Sequence, residues 1–300
     1  MGQAGRAMEQ QAHSMAVNQR ATHSDNPAWL TMPDGQKLFL RDWPNPSTQN
    51  AVLIVHGLGE HSGRYEQLAQ WFLARGFAVR SYDQRGHGHT PGQRSALRHG
   101  DDLLQDLAMV YKDYAQTIGR APLLLGHSMG GLVAVRTVLD HRIEPPALVL
   151  SSPALRSYEA PWLRRLASVL TRVLPDLPLR SGLQLDGLSH DPKVIDAYRN
   201  DPLCSNKVTP RLANFIFRAG ASSITDAWQL RVPTLLLVAG SDRLVDPSGS
   251  RDFSSGAWAT KQLTSRFFDT LFHELFNETE TGRHQVLAQL AEWMRRQSLS

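Results

Sequence analysis

Six residues, Gly126-His127-Ser128-Met129-Gly130-Gly131, set a serine among small neighbours in the pattern G-x-S-x-G. Such a serine becomes a nucleophile where a strand turns sharply into a helix, because the turn exposes its hydroxyl and leaves no room for a neighbouring Cβ. The helix that follows aims its positive end at the place where an oxyanion develops during acyl transfer. The plain alternative is a tight βα turn with no chemistry. A nucleophilic serine also needs a base, and a group that orients the base. On a strand-turn-helix scaffold the chain order is serine, acid, histidine. Asp242 lies just after the apolar run Pro233 to Val238 and is the expected acid; Asp246, directly before Pro247, reads better as a helix N-cap. His273 follows the run Ser265 to Leu271 and is the expected base, whereas His284 falls on the solvated surface of a helical tail. Two backbone amides should meet the oxyanion, those of Met129 and of Leu58 in His56-Gly57-Leu58-Gly59.

Histidines 56, 61, 87 and 89 raise the question of a metal. They lack the HExxH context and a neighbouring carboxylate cluster, so neither a metal nor a cofactor is expected. Asp83, Arg85 and His87, in the glycine-rich stretch Tyr82 to Thr90, read as braces under the site.

These residues need a scaffold, and the chain supplies its rhythm. The runs Ala51 to Val55, Phe77 to Tyr82, Pro122 to Gly126, Ala147 to Ser151 and Pro233 to Val238 are short and apolar, the pattern of strands covered on both faces. An earlier strand is expected at Lys37 to Trp43. Helix-length amphipathic segments lie between most of them: Tyr65 to Arg75, Asp101 to Gln116, Gly130 to Asp140 and the tail Glu278 to Arg295. Such alternation predicts βαβ units and a mostly parallel sheet, an α/β fold. The interval between Ser151 and Val232 is too long for one crossover, which predicts an inserted subdomain. Within it, Trp162, Leu163, Leu166, Val169, Leu170, Val173 and Leu174 make an apolar helical stripe flanked by Arg164, Arg165 and Arg172. The stripe either packs on the core or meets lipid.

Composition narrows the class. Of 300 residues, 41% are hydrophobic and 20% charged, which sets aside disordered and fibrous chains. The net charge of +4 comes from bases spread among acids, so no nucleic-acid partner is expected. Cys204 is the single cysteine, which excludes an intramolecular disulfide. No run reaches the roughly 18 apolar residues of a membrane span. Residues 1–25 lack an apolar signal core and read as a disordered leader, which leaves a cytoplasmic location as the expectation.

With these pieces in place the chain resembles α/β-hydrolases of the monoacylglycerol lipase and lysophospholipase group. The resemblance runs from about Trp29 to Trp293 and rests on His56-Gly-Leu-Gly-Glu-His-Ser-Gly-Arg-Tyr65, Tyr82-Asp-Gln-Arg-Gly-His-Gly88, the serine motif, Gly240-Ser-Asp-Arg-Leu-Val-Asp246 and His273-Glu-Leu-Phe-Asn-Glu278. It implies Ser128, Asp242 and His273 as the triad and Leu58 and Met129 as the oxyanion amides. It also implies Glu60, His61 and Arg64 near the polar end of the substrate. The insertion, 157–221, would be a mainly helical cap between the sixth and seventh core strands, over a core of 26–156 and 222–300. The implied activity is hydrolysis of a lipid ester, a monoacylglycerol or lysophospholipid, with peripheral membrane contact through the cap. A carboxylesterase or thioesterase for small soluble acyl substrates is the alternative. Oligomeric state is left open.

Overall fold

A computed structural model describes residues 28–299; the leader expected at 1–25 lies outside them. Eight strands form one sheet: β1 (Ala28–Thr31), β2 (Lys37–Trp43), β3 (Ala51–Val55), β4 (Ala78–Asp83), β5 (Leu123–His127), β6 (Leu148–Ser151), β9 (Thr234–Ala239) and β10 (Leu263–Phe268). Their order is β1-β2-β4-β3-β5-β6-β9-β10. β2 pairs antiparallel with both β1 and β4, and the remaining pairings are parallel. Every residue of β3, β5, β6 and β9 is buried, as their unbroken apolar runs require when helices cover both faces.

Helices α1 (Glu66–Leu73), α2 (Asp102–Ile118), α3 (Met129–Leu139), α7 (Pro247–Ala257) and α8 (Glu280–Arg296) fill the two faces. In α2, Leu103, Leu107, Val110, Tyr111 and Tyr114 are buried at helical spacing, and the helix stops at Gly119, whose φ of 77° suits glycine. The core divides into two apolar clusters, one around Leu53, Val55 and α2–α3, the other around Val52, Ile54 and α8. This alternation of adjacent strand residues is the period-2 pattern of a two-sided sheet.

Between β6 and β9 lie α4 (Pro161–Val173), α5 (Pro192–Asn200), α6 (Pro210–Thr225) and a two-residue pairing of β7 (Leu179–Arg180) with β8 (Lys207–Val208). The insertion thus sits between the sixth and seventh strands of the large sheet. Its expected end at residue 221 falls inside α6, which is continuous and packs on both α3 and α4. No helix among the described residues is long and apolar enough to cross a membrane.

Candidate active site

Ser128 stands between β5 and α3 with φ 54° and ψ −121°, a strained conformation for a residue with a side chain. Its neighbours explain how the turn is possible. A Cβ on Gly130 would lie 2.2 Å from the Val55 carbonyl oxygen, and one on Gly126 would lie 2.4 Å from that of Gly130. The turn is anchored by Ser128 N–H donating to Ser151 O (2.9 Å) and Ala154 N–H to Ser128 O (3.0 Å).

Asp242 lies in the loop after β9 and His273 in the loop after β10, both beyond the C-terminal ends of parallel strands, where sites in such sheets gather. His273 Nε2 is 2.8 Å from Ser128 Oγ, and His273 Nδ1 is 2.6 Å from Asp242 Oδ2. The other carboxylate oxygen accepts the amides of Leu244 (2.8 Å) and Val245 (2.9 Å). A carboxylate facing Nδ1 assigns that nitrogen the proton, so Nε2 holds the lone pair toward the serine hydroxyl. Burial disfavours the charged imidazolium, but the charge and hydrogen bond of Asp242, with Glu274 and Glu60 behind, outweigh it and raise the His273 pKa above its ordinary 6.5. Asp246 accepts Ser248 N–H as an N-cap, and His284 is exposed on α8.

These groups open into a cavity of about 430 Å³ that also touches Leu58 and Met129. Most of its wall is apolar, including Leu163, Leu166 and Leu170 of α4 and Ile216 and Phe217 of α6. The α4 stripe is therefore divided: those leucines face the cavity, while Trp162 (63% exposed), Val169, Val173 and Leu174 face outward.

At the polar end the wall is Glu60, His127, Tyr198 and Glu274. Arg64 lies behind them, with Nη1 2.7 Å from Glu60 and 2.6 Å from Glu274, and Nη2 2.8 Å from Glu274. Glu60 also accepts Gly57 N–H (2.5 Å) and Tyr65 O–H (2.7 Å). Burial pushes the Glu60 pKa up, but Arg64 and the nearby histidines overcome this and hold it well below the usual carboxylate range. His127 is pushed down to about 4 by burial and by His273, whose ring centroid is 4.8 Å away.

Of the three residues expected at the polar end, Glu60 reaches the cavity wall, while His61 and Arg64 do not. His61 turns to the insertion, its Nε2 2.8 Å from Asp201, with Cys204 adjacent. The three ligand atoms lie within 4.8 Å of one another, a grouping that sequence spacing does not reveal. Burial raises the Cys204 thiol to about 12, and Gly63 N–H occupies the other nitrogen of His61. Asp83 accepts Ser62 and His89 amides and Arg85 pairs with Asp106 and Asp34, so these residues brace loops near the site. Tyr198 and Glu274 are not among the residues that the sequence points to. Glu274 adjoins the base in sequence, a usable signal; Tyr198 had none.

A mostly parallel sheet with a strained serine after its fifth strand, hydrogen-bonded to a histidine and through it to an aspartate after two later ones, defines a serine hydrolase of the α/β-hydrolase class. The family described as "Serine aminopeptidase, S33" matches residues 46–280. A monoacylglycerol lipase of Mycolicibacterium smegmatis is 32% identical, over 87% of this chain and 93% of the relative. Phospholipase YtpA of Bacillus subtilis is 33% identical, over 79% and 93%. The crystal structure of Paleococcus ferrophilus monoacylglycerol lipase aligns with a TM-score of 0.78 at 32% identity, covering 88% of this chain and 99% of that one. The chain belongs to this α/β-hydrolase family, among the relatives of monoacylglycerol lipases, and is a carboxylic ester hydrolase.

Proposed function

We propose that the chain hydrolyses monoacylglycerols through an acyl-enzyme on Ser128. The observation that carries this reading is the cavity: a mostly apolar wall and a compact polar end meet at the Ser128–His273–Asp242 relay. In the first step Ser128 Oγ attacks the ester carbonyl while His273 Nε2 takes its proton, and Asp242 holds the imidazolium. The amides of Leu58 and Met129 receive the oxyanion. The tetrahedral adduct collapses as His273 returns the proton to the leaving glycerol oxygen. Water then attacks the acyl group with His273 again as base, releasing the fatty acid. The segment 157–221 serves as a cap that supplies much of the acyl wall.

Charge favours a glyceride over a lysophospholipid. Two carboxylates and one guanidinium surround the polar end, and that guanidinium is already bound by both. A phosphodiester there would face an uncompensated negative charge. Polarity also disfavours an aminopeptidase, whose acyl group carries a free amine, because the larger wall is apolar.

The outward face of α4, with Trp162, Val169 and Val173 beside exposed Arg165 and Arg172, supports peripheral contact with a lipid surface. Equal sedimentation with and without liposomes would count against it. For the chemistry, Ser128→Ala should lose all labelling by a fluorophosphonate probe, and persistent stoichiometric labelling would overturn the assignment. Wild type should cleave monoacylglycerol in preference to lysophosphatidylcholine of equal chain length.

A further inference from the structure

The residues adjoining the relay are themselves stacked. Arg243, which follows Asp242, sets its guanidinium over the ring of Phe272, which precedes His273, 4.4 Å from carbon to centroid. His190, from the insertion, stacks on the same ring with centroids 3.7 Å apart and planes 22° from parallel. Glu278 then joins two of these three. One of its oxygens accepts Phe272 N–H (2.8 Å) and bonds His190 Nδ1 (2.9 Å); the other accepts Thr279 N–H (3.0 Å) and His190 N–H (3.3 Å). Glu278 has no exposed surface, and none of Arg243, Phe272, His190 or Glu278 is in the cavity wall.

A buried carboxyl group needs its lone pairs met, and here the base loop and the insertion meet them together. The same contact zone continues along the backbone. His273 N–H donates to Gly187 O (3.3 Å), Glu274 N–H to Leu188 O (2.8 Å), and Ser189 O–H to Asn277 O (2.9 Å). The loop that carries the base is thus bound along its length to residues 187–190.

We propose that Glu278 and the Arg243–Phe272–His190 stack form a positioning clamp that holds His273 against Asp242 and Ser128 at once. The clamp rests on the reading of Ser128 as nucleophile and His273 as base. The imidazole must keep a 2.6 Å contact on one nitrogen and a 2.8 Å contact on the other, and the two partners come from different loops. Phe272 and Arg243 are each one residue from a member of the pair, so their stacking fixes the separation of those loops. Glu278 fixes the amide just before His273, so a shift there carries directly to the ring. A displacement of about 1 Å costs on the order of a hundredfold in rate.

Phe272→Leu keeps apolar bulk and removes the stack; Glu278→Gln keeps size and turns an NH2 toward donors. Both should lower kcat on a soluble short-chain ester by about tenfold to a hundredfold, with KM within about twofold. The second-order rate of fluorophosphonate labelling should fall in parallel, and the low-field proton resonance of His273 Nδ1–H should broaden or shift. Phe272→Tyr, which retains the ring, should restore most of the loss. The clamp is overturned if folded Phe272→Leu matches wild type in kcat and labelling, if the loss appears wholly in KM, or if Phe272→Tyr is no better than Phe272→Leu. Should Glu278→Gln fail to fold, the Phe272 pair decides the matter alone. Ser128→Ala is tested first for loss of fluorophosphonate labelling, so a failed nucleophile and a failed clamp give different results.

Discussion

Asp242→Asn separates the orienting role of this carboxylate from its charge, because the structure dictates which way the amide points. Asp242 Oδ1 accepts the Leu244 and Val245 amides, so asparagine keeps its carbonyl oxygen there. The reverse orientation would set an NH2 against two N–H groups and cost about 1–3 kcal/mol for each buried group left unpaired. The NH2 therefore takes the place of Oδ2, 2.6 Å from His273 Nδ1. Facing a donor, Nδ1 must be the lone-pair nitrogen, and the proton moves to Nε2, 2.8 Å from Ser128 Oγ. That tautomer cannot accept the serine proton. The expected fall in kcat is about ten-thousandfold, or about 5.4 kcal/mol at about 1.36 kcal/mol per tenfold. The assay is kcat on a soluble ester with active sites titrated, beside thermal unfolding, which should barely change because both backbone bonds survive. Asp246→Asn keeps an N-cap of equal quality and should leave kcat at wild-type level. A loss below about tenfold in Asp242→Asn, or a larger loss in Asp246→Asn, would refute the tautomer reasoning.

Arg64→Ala leaves Glu60 and Glu274 buried without their cation, which should cost about 3–5 kcal/mol of stability. The Glu60 carboxyl, no longer held low by that cation, would then have its folded-state pKa raised by burial, so the deficit should shrink as pH falls from about 8 toward about 5, and adding Glu274→Gln should recover part of it; a deficit that grows in acid would contradict this. Since His273 must be neutral to act and its pKa is raised, kcat/KM should be full above that pKa and fall as pH drops through it. Glu274→Gln removes one of the charges responsible and should move the limb to lower pH; a limb that stays or rises would count against the electrostatic account. The cavity at the site is walled mostly by apolar side chains, as an acyl-binding surface requires. On monomeric substrates kcat/KM should rise by up to about fourfold per methylene as the acyl chain lengthens along this wall, and the absence of any rise from acetyl to hexanoyl esters would contradict an acyl-binding role for it.

The grouping of Ser128, Asp242 and His273 was legible because its members sit in local patterns: glycines that only a strained turn explains, and the expected acid and base each just past an apolar run. The buried strands were legible for the same reason, and their ends moved by only a few residues. β10 begins at Leu263 rather than Ser265 and stops at Phe268, since its residues are all half-buried and carry no continuous apolar signal. β1, four residues at the sheet edge, offers too little periodicity to read. The polar end is hidden for a different reason. Arg64 and Glu274 are 210 positions apart, and Asp201 is 140 from His61, so only the folded chain pairs them. Helical spacing revealed the α4 stripe, but a period cannot say that Leu166 lines a cavity while Val169 faces outward.

The insertion contributes to the site in two physically different ways. Residues 187–208 are bound to both loops that the chemistry needs. Beside Leu58, the proposed oxyanion donor, Ser205 N–H and Tyr198 O–H both donate to Gly59 O, and a Cβ on Gly59 would lie 2.2 Å from Ser205 O, so glycine alone permits this approach. On the base side, Gly187 and Leu188 accept the amides of His273 and Glu274. Helix α4 is held otherwise, by apolar contacts with α6 and by the Thr171 hydroxyl on Pro210 O. A substrate path that displaced 187–208 would break several hydrogen bonds of about 1 kcal/mol each and carry the Leu58 loop and His273 with them. A path past α4 exchanges one apolar surface for another, and an acyl chain entering there replaces the leucine contacts it disturbs. Entry beside α4 therefore leaves the catalytic geometry intact, and entry beneath α5 does not.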